Sequence, residues 1–311
     1  MTRIYLTRSL PPIARELLAK HFTVDGNDEN KPLPYAVLSS IVPLYDGVLA
    51  TVADRFDEAF FRKPSRLKAI SNYAAGLDNI DLAAAKKNRV VLYNTPDVVT
   101  EPTADMTFAL LLALERQVFR AFDFVKSGQW KSWDPKLFVG HGLKGKVMGI
   151  CGFGRIGKSV GRRALGFGMR VVYYDPFIEN EDHRLSAEAA AVELNELLKI
   201  CDYLSVHVPM NDSTRRMFNL QLFSKLERSP LFINMARGPV VDTEALIQAL
   251  EKKWIRGAAL DVTDPEPLPG SNPLCGMDNV LITPHIGTAT EECRRDMAKE
   301  AAEHLIRHFL G

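Results

Sequence analysis

Three short stretches of this chain carry side chains suited to chemistry. They are Asn234-Met235-Ala236-Arg237-Gly238-Pro239-Val240-Val241-Asp242, Leu260-Asp261-Val262-Thr263-Asp264-Pro265-Glu266-Pro267 and Thr283-Pro284-His285-Ile286-Gly287. Each follows an apolar run that predicts a buried strand, over 231–234, 257–260 and 280–283. In parallel sheets, ligands bind outside the carboxyl ends of the strands. Arg237, Glu266 and His285 stand just past three successive strand ends, so they could converge. Guanidinium is a permanently charged fork that holds a carboxylate. Imidazole titrates near neutrality and moves protons, and a neighbouring carboxylate stabilises its charged form. Taken singly, an Arg237–Glu266 ion pair or a capping His285 is the commoner fate of these residue types. The ordered set of three points instead to proton transfer on a bound anion.

A second motif supplies a phosphate cradle. The run Val147-Met148-Gly149-Ile150-Cys151 has a buried-strand pattern and leads into Gly152-Phe153-Gly154-Arg155-Ile156-Gly157, then into a helix. A GxGxxG alone is a weak signal. Here a strand precedes it, a helix follows, and Asp175 ends the next strand, 21 residues past Gly154. Those are the contexts of a dinucleotide fingerprint. The glycines permit a tight turn and close backbone approach, and the pyrophosphate sits on the N–H groups that open the helix. Asp175 can accept hydrogen bonds from the ribose hydroxyls. It would repel a 2′-phosphate by about 1–4 kcal/mol per unit charge, which is about one to three decades of affinity. Pro176 and Phe177 follow it and supply no cation. NAD(H) is therefore expected over NADP(H).

The elements that must position these groups alternate strand and helix almost throughout, which implies parallel sheets covered by helices. Further strands are expected over 3–7, 47–50, 67–70, 90–92, 147–151, 170–174 and 203–206, with helices such as 12–21, 81–87, 156–167, 243–252 and 291–309. One segment breaks the rhythm. Residues 101–126 read as one continuous helix of about 39 Å, with Thr100 as its N-cap and an apolar middle, Phe108-Ala109-Leu110-Leu111-Leu112-Ala113-Leu114. A helix apolar all round is buried on all sides, either as a central core helix or as one shared between two subunits. The sheet restarts after Gly145, and Asn94-Thr95-Pro96 and Thr283-Pro284-His285 read as hinges. We expect residues 97–284 to form one domain, and residues 1–96 with 285–311 the other.

Composition bounds the alternatives. The 311 residues suit about two domains. Lys and Arg number 39 against 38 Asp and Glu, a balance that argues against nucleic acid as the partner. Cys151, Cys201, Cys275 and Cys293 form no CxxC pair, so neither a disulfide framework nor a metal site is expected, and the cytoplasm is the simplest location. Met1–Leu6 reads as a strand, and the longest apolar run is far short of a membrane span.

Along essentially its whole length the sequence resembles the D-isomer-specific 2-hydroxyacid dehydrogenase family. The resemblance rests on Gly76-Leu77-Asp78-Asn79-Ile80-Asp81, the Gly152–Asp175 fingerprint and the three stretches above, in that order. It implies an α/β fold of two doubly wound parallel-sheet domains. A Rossmann NAD-binding domain is inserted into a flavodoxin-like substrate domain, and 101–126 is a dimerisation helix of a homodimer. It implies reversible reduction of a 2-oxo acid to the D-2-hydroxy acid. His285 would donate the proton, Glu266 would partner it, and Arg237 would hold the substrate carboxylate and polarise its keto oxygen. Ala75 and Gly76 would bind the carboxylate through backbone N–H groups, since small residues let an anion approach; a simple left-handed turn is the competing reading of Gly76. Thr103, Gly152, Gly154, Arg155, Ile156, Gly157, Asp175, His207, Val208, Pro209, Thr214, Met235, Ala236, Asp261 and Gly287 would line the cofactor. Asp261 would face the nicotinamide amide, and His207 the adenosine side.

The stretch from Ser127-Gly128-Gln129-Trp130-Lys131-Ser132-Trp133-Asp134-Pro135 to Gly140-His141-Gly142-Leu143-Lys144-Gly145-Lys146 is similar to the glyoxylate/hydroxypyruvate reductase branch. There Trp133 would limit the substrate side chain, with Thr288 as a further substrate contact; Trp130 and Trp133 could equally anchor a dimer arm. Phosphite dehydrogenases carry a lysine where this chain has Ala75, and formate dehydrogenases replace the glutamate found here as Glu266. The alternatives carried forward are a dehydrogenase for another acid (2-ketogluconate, D-lactate or phosphite) and a non-enzymatic, NAD-sensing corepressor.

Overall fold

A computed structural model describes residues 1–177 and 189–311. Contacts divide them into two compact units, Met1–Val99 with Ala289–Gly311, and Thr100–Thr288.

The first unit is a five-stranded parallel sheet of order β2-β1-β3-β4-β5. Its strands are β1 (Arg3–Leu6), β2 (Thr23–Gly26), β3 (Gly47–Ala50), β4 (Ala69–Asn72) and β5 (Val91–Tyr93). Alternate residues point to opposite faces, and both faces are apolar. Ile4, Leu6, Leu49 and Ala69 pack under the helices Ile13–Ala19 and Glu291–Leu310, against Leu18, Met297, Ala301 and Leu305. Tyr5, Val48, Ala50 and Ile70 pack on the other side against Leu38, Phe56, Phe60 and Ala85.

The second unit holds seven parallel strands of order β12-β11-β10-β9-β6-β7-β8. They are β6 (Val147–Cys151), β7 (Arg170–Tyr174), β8 (Ala189–Ala191), β9 (Tyr203–Val206), β10 (Leu231–Asn234), β11 (Gly257–Leu260) and β12 (Val280–Ile282). Strand order reverses at β6, whose neighbours are β7 and β9. The carboxyl ends around this switch point are where such sheets bind ligands. The helices Thr100–Glu115 and Arg155–Gly166 cover one face, and Leu194–Ile200 and Thr243–Glu251 the other.

Three expectations are corrected. The helix expected over 101–126 is broken into Thr100–Glu115 and Val118–Lys126, with Gln117 left-handed at φ 49° between them. The break falls where Glu115 is pinned. Its buried carboxylate accepts from Arg256 at 2.5 Å, Tyr203 Oη at 2.8 Å and His141 Nδ1 at 2.8 Å. Gly140 crosses the helix end so closely that a Cβ there would lie 2.0 Å from the Glu115 carbonyl oxygen. The apolar middle is not buried all round, because Ala109 is exposed and Leu112 and Ala113 are half-buried. Thr100 is the first helical residue rather than a cap, and its buried hydroxyl has no partner among the described residues.

The domain limits also differ from expectation. Residues 97–99 stay with the first unit, because Val99 is in its core and the Val98 carbonyl accepts from Cys293 Sγ at 3.4 Å. Residues 285–288 stay with the second, because Asp261 holds them there.

Candidate active site

β10, β11 and β12 run parallel in adjacent register, so their carboxyl ends deliver Arg237, Glu266 and His285 from one edge of the second sheet. His285 Nδ1 lies 2.6 Å from Glu266 Oε1. An ionised carboxylate only accepts, so Nδ1 carries the proton in this bond and Nε2 is left as the nitrogen that can exchange one. Burial by itself would raise the Glu266 carboxyl. The hydrogen bond and charge of His285, the Thr263 N–H and the charge of Arg237 outweigh it and hold the group below the usual carboxylate range. Glu266 is thus ionised at neutral pH and fixes the imidazole through charge and orientation.

The backbone under His285 is unusual. Its φ is +54°, a left-handed conformation that costs a non-glycine residue about 1–3 kcal/mol. The structure holds it there from both sides. The His285 N–H donates to the carbonyls of Asp261 (2.9 Å) and Thr283 (3.0 Å). The Asp261 carboxylate, 2 % exposed, accepts from Thr283 Oγ1 at 2.6 Å and from the N–H groups of Ile286 at 2.8 Å and Gly287 at 2.7 Å. Asp261 is therefore an anchor for the histidine loop, a duty no sequence spacing signals.

Arg237 sits in a loop folded onto buried Asn234, which donates through Nδ2 to the Arg237 carbonyl at 3.0 Å and accepts the Ala236 N–H at 3.0 Å. The guanidinium donates from Nη1 to the Ala236 carbonyl at 2.8 Å. Gly238 then brings this loop against the Glu266 loop, since a Cβ there would lie 1.8 Å from the Thr263 carbonyl oxygen. The sequence reading missed Asn234; its signal was a buried amide closing a strand.

The glycine loop is built as its spacing predicts. Gly152 is left-handed at φ +92°, and a Cβ on it would strike the His207 carbonyl carbon at 2.7 Å. Gly157 allows the helix to cross the loop, where a Cβ would lie 2.2 Å from the Gly152 oxygen. Gly154 meets nothing within 4 Å on its Cβ side and opens the helix Arg155–Gly166 with no side-chain cap. A helix N-terminus of this kind is where an anion binds, and exposed Arg155 and half-buried Ile156 stand at it. Asp175 Oδ2 accepts the Phe153 N–H at 2.8 Å, and Oδ1 accepts that of Phe177 at 3.0 Å. Each oxygen keeps a lone pair for a further donor. A dinucleotide fits this donor set.

Around Gly287 the chain brings together other residues expected at the cofactor. A Cβ on Gly287 would approach Asp261 Oδ2, Met235 Cε and Thr103 Cγ2, at 3.0, 3.2 and 3.7 Å. Buried Ala236 completes the β10 end. Past β9, Thr214 Oγ1 donates to the Pro209 carbonyl at 2.6 Å and accepts the Asn211 N–H at 2.9 Å, which closes the loop carrying Val208 and Pro209.

His207 lies beside the glycine loop with Nε2 2.7 Å from Ser205 Oγ; its Nδ1 is buried with no partner among the described residues. Burial pushes its pKa down to about 3. The unfolded chain takes up this proton near pH 6.5 and the folded protein does not, so stability is complete above about pH 6.5 and falls as pH drops toward 3. We expect His207 to remove about 2 kcal/mol between about pH 7 and about pH 5. Urea unfolding of wild type and His207→Asn at both pH values checks this; an equal loss in the two proteins contradicts it.

The remaining expected substrate contacts lie elsewhere in the chain's own elements. Ala75 and Gly76 belong to the first unit, and Gly76 is not among the left-handed glycines. Trp133 stands 80 % exposed. Thr288, half-buried, makes no hydrogen bond among the described residues.

Residues 108–287 match the NAD-binding domain of the D-isomer specific 2-hydroxyacid dehydrogenases, and the chain belongs to that family. It is an oxidoreductase. Among its relatives, a glyoxylate reductase of Pyrococcus furiosus is 41 % identical over 99 % of this chain and 93 % of its own. Among solved structures, a Thermus thermophilus protein superimposes with a TM-score of 0.90 at 40 % identity, covering 98 % of this chain and 96 % of its own. A D-lactate dehydrogenase from Aquifex aeolicus, complexed with NAD and lactic acid, superimposes with a TM-score of 0.86 at 29 % identity, covering 99 % and 95 %.

Proposed function

We propose that this protein reduces a small, unphosphorylated 2-oxo acid of the glyoxylate or hydroxypyruvate type to its D-2-hydroxy acid, reversibly, with NADH. The observation that carries the reading is the 2.6 Å pair of His285 with Glu266 beside the Arg237 loop. The similarity to curated glyoxylate reductases over the full chain supports the substrate class.

Bound NADH supplies the hydride. Gly152, Gly154, Arg155, Ile156 and Gly157 hold its pyrophosphate and Asp175 its ribose, with Thr103, His207–Pro209, Thr214, Met235, Ala236, Asp261 and Gly287 as further contacts. Arg237 grips the substrate carboxylate and draws electron density toward the keto oxygen. Ala75 and Gly76 also bind the carboxylate. His285 Nε2 gives its proton to the keto oxygen as the carbonyl carbon is reduced, and Glu266 stabilises the imidazolium from which the proton leaves. In the reverse direction Nε2 takes the hydroxyl proton.

The same reading makes the protein a cytoplasmic homodimer. Val118, Phe122, Val125, Trp130, Trp133 and Val139 are all exposed along the helix Val118–Lys126 and the segment after it. So many large apolar side chains exposed along one stretch suit an interface, and Trp133 of the second copy would then limit the substrate side chain. No helix among the described residues is long and apolar enough to cross a membrane.

Cofactor choice and product hand test the reading. With hydroxypyruvate, we expect kcat/KM for NADH to exceed that for NADPH by about one to three decades, from the charge of Asp175. Side-by-side kinetics measure it, and equal or better use of NADPH removes that role from Asp175. Chromatography of the product on a chiral phase should give D-glycerate; L-glycerate would refute the assignment.

A further inference from the structure

The loop Tyr73-Ala74-Ala75-Gly76-Leu77 leaves β4 in the first unit, and its three central carbonyls are each held by a separate donor. The Ala74 oxygen accepts the Thr95 N–H at 2.8 Å. The Ala75 oxygen accepts from Asn94 Nδ2 at 2.6 Å. The Gly76 oxygen accepts from Asn72 Nδ2 at 2.9 Å. In a trans peptide the C=O and the following N–H point in opposite directions. Fixing these three oxygens therefore fixes the N–H groups of Ala75, Gly76 and Leu77. None of those N–H groups makes a hydrogen bond among the described residues. Ala75, Gly76 and Leu77 are only half-buried, so an anion can reach them.

The donors are themselves oriented. Asn79 Nδ2 donates to the carbonyls of Thr51 (3.1 Å) and Asp54 (2.8 Å), which turns Asn79 Oδ1 toward Asn72 Nδ2 at 3.0 Å. That contact assigns which end of the Asn72 amide is the donor. The Asp54 carboxylate, 2 % exposed, anchors the base by accepting Thr7 Oγ1 at 2.5 Å and the Thr51 N–H at 2.7 Å. Asn72 is fully buried, and Asn94 is half-buried just before Thr95. The effect of an asparagine on a loop carbonyl is to aim the peptide group.

We infer that Asn72 and Asn94 are positioning residues that aim the N–H groups of Ala75, Gly76 and Leu77 at the carboxylate of the 2-oxo acid, with Leu77 as a third donor. The inference rests on the proposed reduction of a 2-oxo acid. Such groups bind ground state and transition state alike, so their loss raises KM and leaves kcat in place.

Two measurements test it. In wild type, amide hydrogen exchange of a peptide spanning 74–78 is followed with and without oxamate, an unreactive anion of the substrate's shape, in the presence of NADH. Slower exchange with oxamate is expected. In parallel, Asn94→Ala and Asn72→Ala are compared with wild type for KM of glyoxylate, Ki of oxamate, kcat and Kd of NADH. Asn94→Ala should raise KM and Ki at least about tenfold, with kcat within about threefold and Kd for NADH unchanged. Asn72→Ala should behave alike if it folds. Unchanged exchange of the peptide under inhibiting oxamate overturns the inference. So does an Asn94→Ala protein that keeps its KM, or one in which KM, kcat, NADH affinity and thermal midpoint all worsen together. A wild type that binds NADH but reduces no 2-oxo acid overturns the functional reading instead.

Discussion

Replacing His285 by alanine should lower kcat by roughly 10²–10⁴-fold, the usual contribution of a positioned general acid. The affinity for NADH should stay within about twofold, because the glycine loop and Asp175 do not touch His285. Steady-state kinetics at saturating substrate give the first quantity, and quenching or enhancement of NADH fluorescence gives the second. Glu266→Gln should cost less, because the amide can still accept from Nδ1 while the charge that stabilises the imidazolium is gone. If His285 only capped its loop, the alanine variant would lose stability and keep its turnover. Activity within tenfold of wild type would refute the role, whatever happened to the melting temperature.

Arg237→Met comes second in size. The methionine keeps much of the stem's volume and removes every N–H of the fork. A charge-assisted hydrogen bond is worth about 1.5–3 kcal/mol, so losing a two-pronged grip should cost roughly 10²–10⁴ in kcat/KM. KM and kcat should both suffer, because the guanidinium binds the carboxylate and also polarises the carbonyl. Arg237→Lys should recover only part, since a point charge cannot reproduce the fork. A change confined to KM would leave Arg237 as a carboxylate holder alone.

Much of the site was legible because its determinants are local. Gly157 is needed for its contact with Gly152 in the same strand–loop–helix, and Gly152 for its own left-handed backbone, so their spacing carries much of the geometry. The strand ends at Asn234, Leu260 and Ile282 follow from buried apolar runs, and they place the chemical groups directly after them. What the sequence hid depends on distant partners. Thr23–Gly26 and Ala189–Ala191 are edge strands, one polar and one made only of alanine, so neither carries a hydrophobic signature. The break at Gln117 follows from Glu115 meeting Arg256 and Tyr203, far along the chain. Asp261 reads as one more strand-end carboxylate until the structure shows its oxygens holding Thr283, Ile286 and Gly287. The left-handed turn at His285 has no sequence signal, because it is sustained by that anchor rather than by residue type.

The central claim, NADH-dependent reduction of a small 2-oxo acid, is met most directly by following the loss of NADH absorbance with purified protein. The panel is glyoxylate, hydroxypyruvate, pyruvate, 2-ketogluconate and phenylpyruvate. Rapid turnover of glyoxylate or hydroxypyruvate is the predicted result. Turnover of only the larger acids would keep the chemistry of His285 and contradict the assigned substrate class. NADH bound tightly with no acid reduced would contradict the claim itself and leave a nucleotide-sensing protein in its place.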